Sequence, residues 1–250
     1  VEERVAMAVT RILESGRIRI ERYIEDYIDS GKIAGCSMIV WRGGDELYTT
    51  FKGVQDFETR RPIARDTIFR VYSMTKPVAS VALMMLFDRG RFDLDDPVER
   101  FLPAFSGMRI YDPGGFHTPA AGRITIRQLL NHTSGLILPA FSEHPLRKIY
   151  VSQGVNGSRS EGTLAKVIDK LGELPLLFEP GTRWEYSMAT DAVGRLVEVI
   201  DGRTFDAFLQ DELLGPLGMV DTQFYLPRDK IPRFAANYSR DASGPIHPID

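Results

Sequence analysis

The sequence is poor in the residues that build disulfide frameworks and metal sites. Its 250 residues include one cysteine, Cys36, so an intramolecular disulfide is excluded. Only four histidines occur, and no two of them have the spacing of a metal-ligand motif. We therefore expect a protein that uses neither a metal nor a cofactor.

Long apolar runs and blocks of like charge are also absent. The longest apolar run, VASVALMMLF, falls well short of the ~20 residues that span a bilayer. The net charge is −3, and Lys and Arg are interspersed with Asp and Glu, which argues against a nucleic-acid partner. A composition of 43% hydrophobic and 26% charged residues is typical of a folded globular protein. We expect a cytoplasmic protein with no membrane span.

The N-terminal part predicts a helix followed by a hairpin. Residues 3–29 carry an apolar stripe at helical spacing. The segments AGCSMIVWR and ELYTTFKGV are rich in β-branched and aromatic residues, and the Gly43-Gly44 pair between them indicates a tight turn. Residues 66–72, DTIFRVY, predict a short strand that leads into Ser73.

The chain from Ser73 to about residue 220 reads mainly as helix and loop. Val78, Val81, Ala82 and Leu86 recur at helical spacing, which predicts an amphipathic helix over Ser73–Arg89. The last residues of the chain show no clear periodicity. Further helices or helix–loop units are predicted over residues 124–136, 162–174, 187–202 and 204–218.

Within this helix, Ser73 and Lys76 form a Ser-x-x-Lys pair. Residues three apart on a helix share a face, so the amine can touch the hydroxyl. A serine at the helix start also lies beside unpaired N–H groups and the positive end of the helix dipole. A neutral amine can accept the serine proton, and desolvation or a nearby cation favours that neutral form. The alternative, a capping serine followed by a solvated lysine, stays open for the pair alone.

Two other segments bear on the pair. Tyr186 and Ser187 come just before an apolar helix, where a tyrosine can supply a second proton-transfer group or simply pack in the core. The segment LLNHTSGL, residues 129–136, is a tight polar loop between apolar residues, and alone it predicts a helix C-cap with Gly135 at positive φ.

In this order and spacing, the segments resemble the serine β-lactamase and penicillin-binding-protein superfamily. The matching stretches are TIFRVYSMTK, GRFDLDDPVERFLPAF, ITIRQLLNHTSGL and FEPGTRWEYSMA, which lie between Gly31 and Phe224. The nearest branch holds class C β-lactamases, D-aminopeptidases and family VIII carboxylesterases. The resemblance implies an α+β, β-lactamase-like fold, in which helices flank an antiparallel sheet beside a mostly helical domain. The implied parts are 1–72 (helix and first strands), 73–225 (helical domain with both motifs) and 226–250 (start of a return to the α/β part).

The resemblance also assigns roles. Ser73 is implied to be the acylated nucleophile, Lys76 its activating partner and Tyr186 the second acid/base, with NHTSGL a structural loop rather than the source of a catalytic histidine. β-Lactamases of this type carry Asn at the position of Met188, where it binds the substrate amide, so this chain is expected to prefer esters. The residues expected to contact substrate are Met74, Phe141, Ser187 and Met188.

One superfamily motif has no counterpart before Asp250. This motif, Lys/His-Thr/Ser-Gly or Trp-Gly-Gly, lies on a strand that supplies a second oxyanion donor. We therefore expect the sequence to correspond to the first two-thirds of such an enzyme, without its C-terminal strands. The active species is expected to contain further residues, with which this part associates.

The expected function is that of a serine hydrolase that cleaves a small-molecule carboxylic ester through an acyl-enzyme. A β-lactamase or D-amino-acid peptidase of the same fold is the first alternative, and a non-catalytic ligand-binding member is the second. An α/β-hydrolase has no motif support because Gly-x-Ser-x-Gly does not occur.

Overall fold

A computed structural model describes residues 12–115, 117–240, 244 and 246–249. The chain divides into two compact units. Unit 1 comprises Val1–Val71 and Tyr225–Asp250, and unit 2 comprises Tyr72–Phe224. The large hydrophobic core belongs to unit 2.

Unit 1 contains helix α1 (Glu14–Asp29) and an antiparallel hairpin of β1 (Gly35–Arg42) and β2 (Asp45–Gly53). The hairpin was predicted. Gly43 and Gly44 have φ values of 61° and 94°, the conformation that matches a two-residue turn to the twist of its strands. Helix α1 begins at Glu14, so residues 12–13 of the helix predicted over residues 3–29 are not helical. Residues 3–11 of that prediction lie outside the described residues.

The open end of the hairpin brings two glycines together. Gly35 pairs with Gly53 in the strand register. A Cβ on Gly35 would lie 2.7 Å from the Val54 carbonyl oxygen, and one on Gly53 would overlap the Ala34 carbonyl oxygen. Gly53 also has a φ of 74°, so the crossing of the backbones here requires glycine at both positions.

The predicted strand over residues 66–72 is wrong for most of its length. Only Ile68 makes a β-bridge, parallel to Phe234. The Ile68 N–H donates to the Arg233 carbonyl, and the Ala235 N–H donates to the Ile68 carbonyl. Pairing stops there because residues 65–66 form a turn before the bridge and a 3₁₀ turn follows at Tyr72. The C-terminal part of unit 1 also holds a 3₁₀ segment, Arg228–Arg233, and short paired strands, Tyr238–Arg240 and Ile246–Pro248.

Unit 2 is built from helices around one core, with a pair of two-residue strands, Arg109–Ile110 and Thr118–Pro119. None of the described helices is both long and apolar enough to cross a bilayer. The helices are α2 (Thr75–Asp88), α3 (Ile126–Leu130), α4 (Leu146–Ser152), α5 (Leu164–Gly172), α6 (Ala189–Asp201) and α7 (Phe205–Leu209), which continues as a π-helical turn, Gln210–Leu214.

Helix α6 is central to this unit and packs against α2, α3, α5 and α7. Its buried residues include Val193, Leu196, Val197 and Ile200, which follow helical spacing. Burying each of these side chains contributes about 1.5–3 kcal/mol relative to leaving it exposed. The helix ends at Asp201, and the left-handed conformation of the next residue, Gly202, turns the chain away.

Two predicted helices have different bounds in the structure. The helix predicted to begin at Ser73 begins at Thr75, because Tyr72–Met74 form a 3₁₀ turn and Tyr72 has a φ of 42°. The helix predicted within residues 124–136 ends at Leu130, and His132 and Gly135 beyond it have positive φ values of 59° and 86°.

Candidate active site

A cleft of about 910 Å³ opens in unit 2 beside Ser73. Its walls are mainly apolar, and charged side chains reach it from α2, α6 and α7. The apolar lining includes Leu138, Phe141, Leu164, Phe205 and Phe224, and the polar lining includes Ser73, Lys76, Tyr186, Asp191, Glu198 and Asp206.

Ser73 lies on the cleft wall in the middle of the 3₁₀ turn that precedes α2, and its side chain is exposed. The Ser73 Oγ is 2.7 Å from the Tyr186 hydroxyl and 3.3 Å from the Lys76 Nζ, which donates to it. The residue before it, Tyr72, holds a left-handed conformation that is rare for a bulky side chain. Lys76 and Tyr186, the partners that the resemblance assigns to Ser73, therefore both lie within hydrogen-bonding distance of its hydroxyl.

Lys76 links the other two side chains. It lies in the first turn of α2, so its amine comes back toward Ser73 at the start of the helix. The same Nζ lies 4.5 Å from the centre of the Tyr186 ring, a distance suited to a cation–π contact. A positive charge next to a phenol stabilises the phenolate form.

The electrostatic surroundings of Tyr186 favour its phenolate, which is the form that can accept a proton. Burial raises the pKa of its phenol, but hydrogen bonds with Lys76 and Ser73 outweigh that effect and hold the pKa below the ordinary value for tyrosine. A lowered pKa brings the phenol closer to the range in which it can act as a general base near neutral pH.

Backbone hydrogen bonds fix the segment that carries Tyr186. This segment runs beside the loop of residues 131–137, and Gly135 in that loop has a positive φ. A Cβ on Gly135 would overlap the Phe178 carbonyl oxygen, so the close approach of the two segments requires glycine. The donors are the N–H groups of Leu177, Gly181, Glu185 and Met188, and the respective acceptors are the carbonyl oxygens of Gly135, Thr133, His132 and Ile137.

His132 lies next to Tyr186 rather than at the cleft wall. Its Nδ1 is 3.1 Å from the Ser187 Oγ, and its ring centre is 5.2 Å from that of Tyr186. Burial, and secondly the charge of Lys76, hold the pKa of the imidazole below its ordinary value. The sequence indicated a structural loop here but gave no sign of a contact between this histidine and the tyrosine.

Of the four predicted substrate contacts, only Phe141 lies among the cleft-lining residues. It is 75% exposed and meets the Tyr186 ring edge-on at 6.0 Å. The prediction for Met188 is corrected: it is 1% exposed and belongs to the core, because the chain turns into α6 at this residue. Ser187 is 2% exposed and faces His132, and Met74 points to solvent outside the cleft lining.

Sequence reasoning missed the carboxylates of the cleft. Asp191, Gly194 and Glu198 all line it from α6. They follow one another at intervals of three and four residues, so helical spacing alone would have placed them on one face. Solvent reaches Asp191 within the cleft, yet the surrounding protein desolvates its carboxyl enough to raise the pKa.

Comparison with known proteins identifies the family. The family model described as Beta-lactamase matches residues 20–250. Protein Rv1367c of Mycobacterium tuberculosis is 35% identical over 222 residues, which cover 87% of this chain and 54% of that protein. Esterase EstB of Burkholderia gladioli is 32% identical over 234 residues, which cover 93% and 57%.

A solved structure agrees with this match. EstCE1, described as a hydrolase with promiscuous acyltransferase activity, superposes with a TM-score of 0.81 at 31% identity and covers 94% of this chain and 59% of its own. The chain spans about half the length of the curated relatives it matches. Because the match extends over both units, and the fold agrees with that of a solved hydrolase, the chain belongs to the β-lactamase family, within the superfamily of serine β-lactamases and penicillin-binding proteins that also includes esterases.

Proposed function

We propose that this protein is a serine hydrolase of the family VIII carboxylesterase type, which cleaves carboxylic esters through an acyl-enzyme on Ser73. The observation that carries the proposal is the contact of the Ser73 hydroxyl with both Tyr186 and Lys76, at 2.7 Å and 3.3 Å. A nucleophile within reach of a base, and a base held by a third charged group, is the general arrangement for covalent catalysis.

In the acylation step, Tyr186 takes the proton of Ser73 while the Oγ attacks the ester carbonyl. Tyr186 accepts this proton as its phenolate, which Lys76 stabilises before the transfer. Lys76 also donates a hydrogen bond to the Ser73 hydroxyl and so keeps it oriented. The N–H of Ser73, at the start of the helical segment, donates to the oxyanion of the tetrahedral intermediate. As the intermediate collapses, the C–O bond to the alcohol breaks and the phenol returns the proton to the leaving oxygen.

In the deacylation step, a water molecule replaces the alcohol. Tyr186 accepts a proton from this water, whose oxygen attacks the acyl carbon. The bond to the Ser73 Oγ then breaks, the phenol gives its proton to that oxygen, and the carboxylic acid leaves. Each proton taken by the tyrosine is thus returned within the same half-reaction.

Two features favour esters over β-lactams. The cleft walls are mainly apolar, which suits a substrate with a hydrocarbon acyl or alcohol group. Met188, which the resemblance places at the position of the amide-binding Asn of β-lactamases, is buried in the core and presents no hydrogen-bond donor to the cleft. The similarity to EstB and EstCE1, a named esterase and a named hydrolase, supports the same substrate class.

Replacement of Ser73 tests the proposal. We expect Ser73→Ala to abolish both the hydrolysis of short-chain p-nitrophenyl esters and covalent labelling by a fluorophosphonate, because the attacking oxygen is gone. Ser80→Ala, in α2 but outside the cleft lining, is the matched control. The proposal fails if Ser73→Ala is still labelled, or if the unaltered protein turns over nitrocefin but no ester.

A further inference from the structure

The imidazole of His132 packs against the phenol ring of Tyr186. The ring centres are 5.2 Å apart and the planes are tilted by 33°, a separation within the range of contacting aromatic pairs. His132 is half-buried. It therefore limits the positions that the phenol ring can take.

A hydrogen bond fixes the imidazole itself. Its Nδ1 is 3.1 Å from the Oγ of Ser187, a side chain that is 2% exposed. The Ser187 Oγ also accepts the N–H of Ala189, and its hydroxyl hydrogen can donate to Nδ1 when the imidazole is neutral and carries its hydrogen on Nε2.

The backbone of His132 makes a second connection. Its carbonyl oxygen accepts the N–H of Glu185 at 2.9 Å. Glu185 and Ser187 are the residues on either side of Tyr186, so one histidine holds both neighbours of the tyrosine. His132 makes both contacts in a left-handed conformation, with a φ of 59°.

The charged groups around His132 favour a neutral imidazole. Lys76 faces it from α2, Tyr186 faces it from its own segment, and Asp191 of α6 interacts electrostatically with both of those groups. A neutral imidazole adds no positive charge beside the ammonium of Lys76. It also leaves that ammonium as the cation that acts on the phenol.

We propose that His132 is a positioning residue that, together with Ser187, holds the phenol of Tyr186 within hydrogen-bonding distance of Ser73 and Lys76. The proposal rests on the proposed function of the cleft, since it assigns His132 a part in the same reaction. It assigns no contact between His132 and the substrate.

Three substitutions test this role. His132→Asn keeps the left-handed backbone, which Asn tolerates, and removes the ring. Ser187→Ala keeps the ring and removes its hydrogen bond. His144→Asn is the matched control, because His144 is also half-buried, has a hydrogen bond at Nδ1 and packs on a tyrosine ring, but that ring belongs to Tyr111, which lies outside the cleft lining.

The first measurement is the rate at which a fluorophosphonate labels Ser73. We expect His132→Asn to slow labelling about 10- to 100-fold, since small displacements of a catalytic group have effects of this size. Ser187→Ala should slow it less, and His144→Asn should stay near the unaltered rate. In steady-state ester hydrolysis by His132→Asn and Ser187→Ala, kcat should fall while KM changes little.

The second measurement follows the titration of Tyr186 by NMR of ¹³C-labelled tyrosine, with Tyr186→Phe used for assignment. We expect the pKa of Tyr186 to rise in His132→Asn and Ser187→Ala, because the phenol moves away from Lys76 and Ser73. A change in stability alone would leave this pKa where it is in the unaltered protein.

The proposal is overturned if both variants label at the unaltered rate and leave the pKa of Tyr186 unchanged. If His132→Asn does not fold, an unaltered rate and pKa in Ser187→Ala overturn it. If the unaltered protein is not labelled at Ser73, the proposed function fails, whereas the titration of Tyr186 still reports on the positioning.

Discussion

The two segments that meet at Ser73 are held in opposite ways. In the nucleophile turn, Tyr72–Met74, the two flanking side chains are 64% and 68% exposed, and Tyr72 is in a strained conformation. In the tyrosine segment, Glu185–Ala189, Ser187 and Met188 are almost fully buried and the backbone is hydrogen-bonded to the loop of residues 131–137. The nucleophile is thus open to a substrate. The distance between Ser73 and Tyr186 then depends on how firmly the tyrosine segment is held.

Apart from loss of the nucleophile itself, the largest effect on the reaction rate should come from removing the Tyr186 hydroxyl. Tyr186→Phe keeps the ring and its packing but removes the group 2.7 Å from Ser73. We expect the rate of acylation to fall by about 10²–10⁴, the usual contribution of general acid–base catalysis. Single-turnover kinetics with a p-nitrophenyl ester measures it, and Tyr111→Phe, a half-buried tyrosine outside the cleft lining, is the control. A loss below tenfold would mean that Lys76 alone can activate Ser73.

The next largest effect is expected on stability, at the place where the loop of residues 131–137 meets the tyrosine segment. Gly135→Ala would place a Cβ against the Phe178 carbonyl at a positive φ, and the two segments would have to separate. We expect it to lower the free energy of unfolding by at least about 3 kcal/mol, and urea denaturation measures this change.

Gly154→Ala separates the two causes of that loss. Gly154 also has a positive φ of 75°, but the nearest atom to a Cβ there is the Lys170 Nζ at 3.7 Å, the end of a flexible side chain. We expect a loss of only about 1 kcal/mol, from backbone strain alone. If Gly135→Ala and Gly154→Ala lowered the free energy of unfolding equally, the close contact with the Phe178 carbonyl would contribute nothing to the loss.

The smallest effect should come from removing an exposed apolar side chain of the cleft, and it should fall on substrate binding. Phe141→Ala removes apolar lining and an edge-on contact with Tyr186, but no hydrogen bond of the Ser73 pair. We expect KM for an apolar ester to rise about 3- to 10-fold with little change in kcat, in line with the loss of uniform binding. Val199→Ala, 40% exposed on α6 and outside the cleft lining, is the control. A fall in kcat equal to that of Tyr186→Phe would assign Phe141 a role in positioning instead.

Local patterns predicted the parts of the fold that depend on neighbouring residues. The Gly43-Gly44 turn and the core helix α6 follow from spacing and turn chemistry, which the sequence displays directly. The contact of Ser73 with Lys76 follows in the same way, since the two are three residues apart.

What the sequence did not predict depends on contacts between distant residues. The bonds between residues 131–137 and 177–188 involve backbone groups, which every residue type carries, so no pattern reveals them. Met188 reads as a pocket residue from its motif, and only the direction of the chain entering α6 places it in the core. The strand predicted before Ser73 fails because a strand needs a neighbouring strand to pair with, and within residues 66–72, all of which the structure describes, the β-bridge is made at Ile68 alone.

The crossing of Gly35 and Gly53 at the open end of the hairpin has a consequence for experiments that vary every position of the chain. Any side chain there would meet a carbonyl oxygen of a neighbouring segment, so both positions should reject all other residues. In a map of mutational tolerance, these two glycines would rank beside Ser73, although they take part in no reaction. Chemical labelling, which reports on the hydroxyl itself, is what separates such steric positions from the nucleophile.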